Sequence, residues 1–136
     1  MKKTILFISL IICIFASGTY AQKKGTLTVN TKFSGILNGY DYITKTLVFI
    51  DGDLAGETSE QVQSKPNSCT VTLPRGIHTI RIVNLAYYEG KWEEHTLKNN
   101  YALDALYEGN VKVKKKFMMN LVFDITAEKT LAKLDK

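Results

Sequence analysis

Aromatic side chains crowd one part of this chain: Tyr87, Tyr88 and Trp92, followed by Tyr101 and Tyr107. Rings of this kind bury a large area at little rotamer cost, and a partly exposed set suits the flat face of a glycan or the centre of a protein contact. Cross-strand packing that closes the end of a core is the competing reading of the same residues. Just beyond lies the one dense basic run, Lys112, Lys114, Lys115 and Lys116. On an extended strand Lys112, Lys114 and Lys116 share one face. They would there meet anionic lipid, lipopolysaccharide or polysaccharide. Lysines that protect an edge strand from aggregation would produce the same pattern.

Acid–base and metal chemistry find less to work with. Asp51, Asp53 and Glu57 are the best candidates for holding a cation, but calcium takes about six to eight oxygens. These acids flank a tight turn and would point apart along a hairpin. His78 and His95 lack neighbours at zinc-ligand spacing, so neither a metal nor a cofactor is expected. There is no Gly-x-Ser-x-Gly elbow, and the serines lie in polar loops far in sequence from both histidines. Glu93 and Glu94 are adjacent on a strand and face opposite sides, whereas a glycosidase needs two carboxyl groups flanking one cleft. No catalytic residue emerges, and the expectation is a protein that is not an enzyme.

The elements that must position these groups are strands. Apolar residues alternate with polar ones along Gly25 to Phe33, where Leu27, Val29 and Phe33 share a face. Gly35 to Thr44 reads as a loop or a broken strand. Leu47 to Ile50 is apolar throughout and runs into Asp51-Gly52, a pair suited to the two positive-φ positions of a type I′ turn. Residues 57 to 68 form a polar loop ending at Pro66-Asn67. Ser68 to Leu73 alternates again, with Cys69, Val71 and Leu73 together. Leu73-Pro74-Arg75-Gly76 then predicts a second hairpin turn, with Ile80 and Ile82 of the returning strand facing inward. A third hairpin is predicted at Glu89-Gly90. Tyr101 to Tyr107 fits either a strand or one helical face. Val111 to Ile125 is a long strand or a pair, and the tail from Glu128 either forms a short amphipathic helix through Leu131 and Leu134 or frays. The fold class is all-β: an antiparallel β-sandwich of about seven to eight strands.

The first 21 residues read as a secretory leader and not as part of that fold. Lys2 and Lys3 precede a short apolar run, and Thr19-Tyr20-Ala21 is a small-x-small cleavage site. The run falls short of the roughly 18 apolar residues that a membrane span requires, so no transmembrane segment is expected after cleavage. Cys13 follows Ile12, not the small residue that lipidation prefers. Removing 21 of 136 residues leaves 115, a single-domain length. One cysteine, Cys69, then remains, so no intramolecular disulfide is possible. Two of the eighteen basic residues leave with the leader. Sixteen against thirteen acids gives +3, an ordinary solubility charge that offers little to nucleic acid.

The order of strand, Asp-Gly turn, short strand ending at Gly, polar stretch, strand, Leu-Pro-x-Gly turn and His-Thr-Ile-x-Ile resembles PEGA-type domains. The matching residues are Val48 to Thr58 and Val71 to Ile82, with Gly25-Thr-Leu-Thr-Val29 as the leading strand. The resemblance spans Gly25 to about Val83. The Pro-x-Gly-Ala lead-in is replaced by Tyr42 to Thr46, the proline after Gly-x-Thr is Ser59, and Tyr87 to Ile125 is unmatched. The resemblance implies a small extracytoplasmic β-sandwich module of the bacterial or archaeal envelope, with no catalytic residues to carry over. The expected role is a secreted, periplasmic or surface-located binding or structural module whose partner is an envelope protein or a glycan. An inhibitor or immunity-type protein acting on a secreted enzyme, inserting residues 57 to 68 into a cleft, is the alternative. A small hydrolase built on His78 or His95 comes third.

Overall fold

The computed structural model describes residues 21–135. The leader expected over residues 1–21 lies, apart from its last residue, outside the described residues, and so does Cys13. Ten strands follow in order: β1 (Lys24–Ser34), β2 (Ile43–Ile50), β3 (Asp53–Glu57), β4 (Gln61–Val62), β5 (Asn67–Pro74), β6 (Gly76–Tyr88), β7 (Lys91–Glu94), β8 (Leu106–Val113), β9 (Lys116–Asp124) and β10 (Lys129–Asp135). A short 3₁₀ turn, Leu97–Asn99, separates β7 from β8.

These strands form a β-sandwich. One sheet has the order β10-β9-β1-β5; the other runs β3-β2-β6-β7, with β4 also pairing β2 and β8 also pairing β6. Pairing is antiparallel except between β1 and β9. Period-two alternation decides which residues meet in the middle. Leu27 and Val29 of β1 and Phe117, Met119, Leu121 and Phe123 of β9 enter from one sheet. Val48, Ile80, Ile82, Val111 and Val113 of β2, β6 and β8 enter from the other, and all belong to one apolar cluster.

Two of the three predicted hairpins are present. Ile50 pairs with Asp53 across Asp51 (φ 50°) and Gly52 (φ 88°). Tyr88 pairs with Lys91 across Glu89 (φ 47°) and Gly90 (φ 82°). Both are two-residue turns with positive φ at each central position, the geometry that matches the twist of paired strands.

Leu73-Pro74-Arg75-Gly76 is different: the chain reverses there, but it also changes sheet. β5 stays paired with β1, while β6 crosses to β2 and β8. A Pro-x-Gly sequence fixes a bend and leaves open which sheet the next strand joins. Two bonds pin the corner. The Arg75 backbone N–H donates to Lys23 O at 2.9 Å and its Nε donates to Lys24 O at 2.9 Å. Both hold the corner against the start of β1.

The tail is a strand, not a helix. β10 pairs with β9 from Lys129 opposite Asp124 to Asp135 opposite Met118. Nine residues, Glu128 to Lys136, are too few for a helix to be stable alone, and pairing satisfies the backbone along what would otherwise be an open edge of β9. Tyr101 to Tyr107 is also not helical: it is irregular as far as Ala105 and enters β8 at Leu106. Residues 57 to 68 are less loop-like than their composition implied. Thr58 and Gln63 are buried, and β4 pairs Ile43 with Val62.

Candidate functional site

The core changes character along its length. Where β2 and β6 run past Val48 and Ile82, the inward positions become Thr46, Thr44 and Asn84, and Thr58, Gln63, His95 and Thr96 are buried with them. Polar groups taken out of water must find partners, and most of these do. The Thr46 N–H donates to Thr58 Oγ1 at 2.9 Å, and Asn84 Nδ2 donates to Thr46 Oγ1 at 3.2 Å. The backbone of His95 is locked from both sides: its N–H donates to Asn84 O, and its carbonyl accepts from the Ala105 N–H, each at 2.9 Å. Gln63 Nε2 donates to the Tyr40 carbonyl. Among the described buried side chains, Gln63 Oε1, Asn84 Oδ1 and His95 Nδ1 have no hydrogen-bond partner.

Aromatic rings converge on this polar end. Tyr42, just before β2, is the hub. Its ring centroid lies 5.6 Å from Tyr101, 6.0 Å from Tyr88, and 6.4 Å from both His95 and Tyr40, with near-perpendicular planes for the first three. Edge-to-face contact of this kind is the arrangement that ring quadrupoles favour. Tyr101 lies over His95 at 4.2 Å, His95 meets Phe33 at 5.0 Å, and Phe33 meets the fully buried Phe123 at 5.0 Å. The rings thus run without a break from solvent at Tyr40 to the core at Phe123. Between them a recess of about 280 Å³ opens, lined by Leu37, Tyr40, Tyr42, Gln63, His95, Asn100, Tyr101, Ala102 and Ile125.

Its electrostatics follow from burial. His95 is 2% exposed, and desolvation pushes its imidazole down to about 4, so the ring is neutral near pH 7. Desolvation raises the Tyr101 phenol, helped by the Glu93 carboxylate, which accepts its hydroxyl at 2.7 Å. The neighbouring Glu89 carboxylate raises the Tyr88 phenol.

The five aromatic residues singled out in the sequence do not form one patch. Tyr88 and Tyr101 belong to the ring cluster. Tyr87 alternates to the other face of β6, where it meets Trp92 at 5.2 Å, with Lys45 Nζ 4.8 Å from the Trp92 ring. Tyr107, opposite Ile82, packs against the core. The lysine run divides in the same way. Val113 and Phe117 are both buried but belong to different sheets, and the chain crosses between the sheets at Lys114 and Lys115. Lys112 therefore faces outward from one sheet and Lys116 from the other, with Lys114 at the corner, and the shared strand face expected for the three does not exist. Lys112 does lie on an edge strand, since among the described residues β8 pairs with β6 alone. Glu93 and Glu94 face opposite ways, toward Tyr101 and Arg81 respectively.

Sequence reasoning singles out neither Tyr40 nor Gln63; Tyr42 stands out only as the start of the stretch that replaces the Pro-x-Gly-Ala lead-in, and His95 only as a zinc-ligand or acid–base candidate. Tyr40 and Tyr42 carried a signal in their spacing of two just ahead of a strand. Gln63 carried none. A wider groove of about 790 Å³ crosses the outer face of the other sheet. Its polar floor is self-satisfied: Ser68 donates to Asn30, Asn30 to Asn120, and Asn120 to Asp135.

The second histidine sits elsewhere. His78 Nδ1 is 2.6 Å from Asp51 Oδ2, and Nε2 is 2.7 Å from the Pro74 carbonyl. Asp51 also accepts the Thr79 N–H at 2.9 Å. The hydrogen bond to Asp51 raises the imidazole pKa, and the same bond lowers that of Asp51. This is a clasp between the β2–β3 turn and the β5–β6 corner. Among the described residues, neither histidine is hydrogen-bonded to a serine.

No protein-family model and no curated protein matches the chain. Solved structures of similar chain geometry include one described as a trapped toxin, 9% identical with a TM-score of 0.40 over 85% of this chain and 24% of that one. A disulfide-locked mutant of intermedilysin with human CD59 is 15% identical with a TM-score of 0.40, over 85% and 25%. Pneumolysin is 8% identical with a TM-score of 0.38, over 84% and 24%. The chain spans about a quarter of the length of these proteins, and likeness at this level carries no argument about its role.

Proposed function

We propose that the protein is a secreted or periplasmic binding module of the cell envelope, non-catalytic, which holds its partner at the recess around Tyr42. The observation that carries this reading is the recess at the polar end of the sandwich, walled by the rings of Tyr40, Tyr42 and Tyr101. Binding sites are typically concave and apolar with a few polar groups aimed inward. The leader sequence and the resemblance to PEGA-type domains support the extracytoplasmic setting. The alternative of an inhibitor gains nothing from residues 57 to 68, which are tied down through Thr58 and Gln63 and do not protrude as a free loop.

The test is a pull-down from native envelope and medium fractions with the wild-type protein and with Tyr42→Ala. Wild type is expected to retain envelope material that the variant loses. Capture of one secreted enzyme in stoichiometric amount would turn the reading to an inhibitor or immunity-type protein. Turnover of any panel substrate, abolished by His95→Phe, would overturn the non-catalytic reading.

A further inference from the structure

We propose that Asn38-Gly39 is a site of self-modification, where the asparagine amide becomes a carboxylate at the rim of the recess with water as the only co-reactant. The inference stands apart from the binding-module reading and does not need it.

The chemistry is intramolecular. The Gly39 backbone nitrogen, having lost its proton to hydroxide, attacks the side-chain carbonyl carbon of Asn38. A C–N bond forms, the amide nitrogen takes up a proton and leaves as ammonia, and a five-membered succinimide joins the two residues. Water then adds to one of the two ring carbonyls. Opening at one restores the ordinary main chain as aspartate. Opening at the other routes the main chain through the side chain as isoaspartate. Nothing is oxidised or reduced.

Three demands select this site. The attacking nitrogen must be unhindered, it must be free of hydrogen bonds, and the asparagine side chain must be untethered. Asn38 is the one asparagine in the chain that precedes a glycine, and glycine sets no side chain beside its nitrogen. Both residues are exposed. Gly39 has φ 86°, and no atom lies within 4 Å of where a Cβ would stand. Among the described residues, the backbone bond at this turn runs from the Tyr40 N–H to Leu37 O at 3.1 Å and leaves the Gly39 N–H free.

The other asparagines each fail a demand. The side chains of Asn30, Asn67, Asn84, Asn99, Asn110 and Asn120 are tethered by hydrogen bonds. Asn100 precedes the bulky Tyr101, whose N–H is already given to Thr96 O. Asp51-Gly52 would cyclise by loss of water, but His78 and the Thr79 N–H hold the Asp51 carboxyl. They also keep it ionised, and a carboxylate resists attack by a nitrogen nucleophile.

Position gives the change its consequence. Leu37 and Tyr40, on either side of the pair, line a recess that has no Lys, Arg, Asp or Glu in its lining. Either product sets a negative charge beside that uncharged mouth. Isoaspartate also inserts one main-chain carbon ahead of Tyr40, whose ring lies 6.4 Å from Tyr42 and whose carbonyl accepts from Gln63.

The experiment ages the purified protein in mildly alkaline and mildly acidic buffer, in ordinary and in heavy-oxygen water, and maps it by tryptic mass spectrometry. The peptide Phe33 to Lys45 contains Asn38 and no other amide side chain. It should gain the mass of an amide-to-acid exchange before any other asparagine peptide, and faster in the alkaline buffer. In heavy-oxygen water each event should add one heavy oxygen, and chromatography should split the product into aspartyl and isoaspartyl forms. Asn38→Gln, whose longer side chain must close a less favourable six-membered ring, should lose the gain. In amide NMR the converted protein should show a shifted Gln63 side-chain amide and an unmoved Trp92 indole.

An unchanged mass for Phe33 to Lys45, earlier conversion at another asparagine, or an undiminished gain in Asn38→Gln would overturn the site. Absence of heavy oxygen from the product would overturn the succinimide route. An unmoved Gln63 amide in converted protein would overturn the link to the recess. Loss of envelope capture by wild type would sink the binding module and leave this chemistry standing, because the reaction needs no partner.

Discussion

The two histidines mark regions that solve the same problem in opposite ways. His78 has both ring nitrogens engaged, one with Asp51 and one with the Pro74 carbonyl, and its pKa is raised by that company. His95 is buried deeper, has Nδ1 without a partner, and its pKa is lowered. The first is a fastening in which every polar atom is spent. The second leaves polar capacity unused in the buried wall behind a recess. The same residue type is therefore fully engaged in one place and left with an unspent nitrogen in the other, and the hydrogen bonds distinguish them where residue identity does not.

That contrast predicts opposite responses to pH. A histidine whose folded pKa is lowered stabilises the protein fully above its unfolded value of about 6.5 and loses that contribution as pH falls toward the folded value. For His95 the window is 6.5 down to about 4, worth roughly 3 kcal/mol at about 1.4 kcal/mol per pKa unit. Urea unfolding at pH 7 and pH 4 should show that loss, and His95→Phe should remove it. An unchanged slope in the variant would mean that His95 is not the group responsible. His78 works the other way. Its raised pKa makes its contribution complete below about 6.5 and lost as pH rises through the folded value. The depressed Asp51 carboxyl keeps its side of the clasp until pH falls below the usual carboxylate range.

Substitution at constant pH gives the next largest effects, again opposite in sign. His78→Leu, measured by thermal melting at pH 6, should cost about 1 kcal/mol, because it removes the hydrogen bond to the half-buried Pro74 carbonyl together with the clasp on Asp51. His95→Phe at pH 7.5 should gain up to about 1 kcal/mol, since an apolar ring of similar shape replaces one with an unpartnered nitrogen. Destabilisation by His95→Phe would show that its polarity is already satisfied and would erase the distinction. The smallest effect concerns the turns. Asp51 adopts its left-handed conformation while bonding His78 and Thr79. Glu89 adopts the same conformation, which asparagine tolerates better. Glu89→Asn should therefore raise stability by about 0.5–1 kcal/mol in the same melts.

Local grammar made much of the scaffold legible. Alternation placed Leu27, Val29, Ile80 and Ile82 in the core, and Asp51-Gly52 and Glu89-Gly90 announced two turns. It failed where the answer depended on a distant partner. Pro74-Arg75-Gly76 bends the chain in any topology, and it is the pairing of β6 with the distant β2 and β8 that places it in the other sheet. Lys112 and Lys116 are separated by a corner that their own spacing does not record. Leu131 and Leu134 share a helical face on paper, yet β9 offers a strand edge that an isolated short helix cannot rival. The recess was the least legible part. Tyr42, Gln63, His95 and Tyr101 come from four separate segments, and nothing local to any of them states that they meet.

The parallel pairing of β1 with β9 has a consequence for how the protein is made. β1 is the first strand of the described chain and sits inside its sheet, between β5 and β9. One of its flanks therefore waits, unpaired, through the synthesis of about eighty intervening residues before β9 arrives. Contacts that far apart in sequence slow folding and prolong the exposure of sticky edges. A chain that emerges one end first cannot finish this sheet until nearly all of it has emerged. Its vulnerable period is thus set by its topology, and a helper that shields extended segments would matter most for β1.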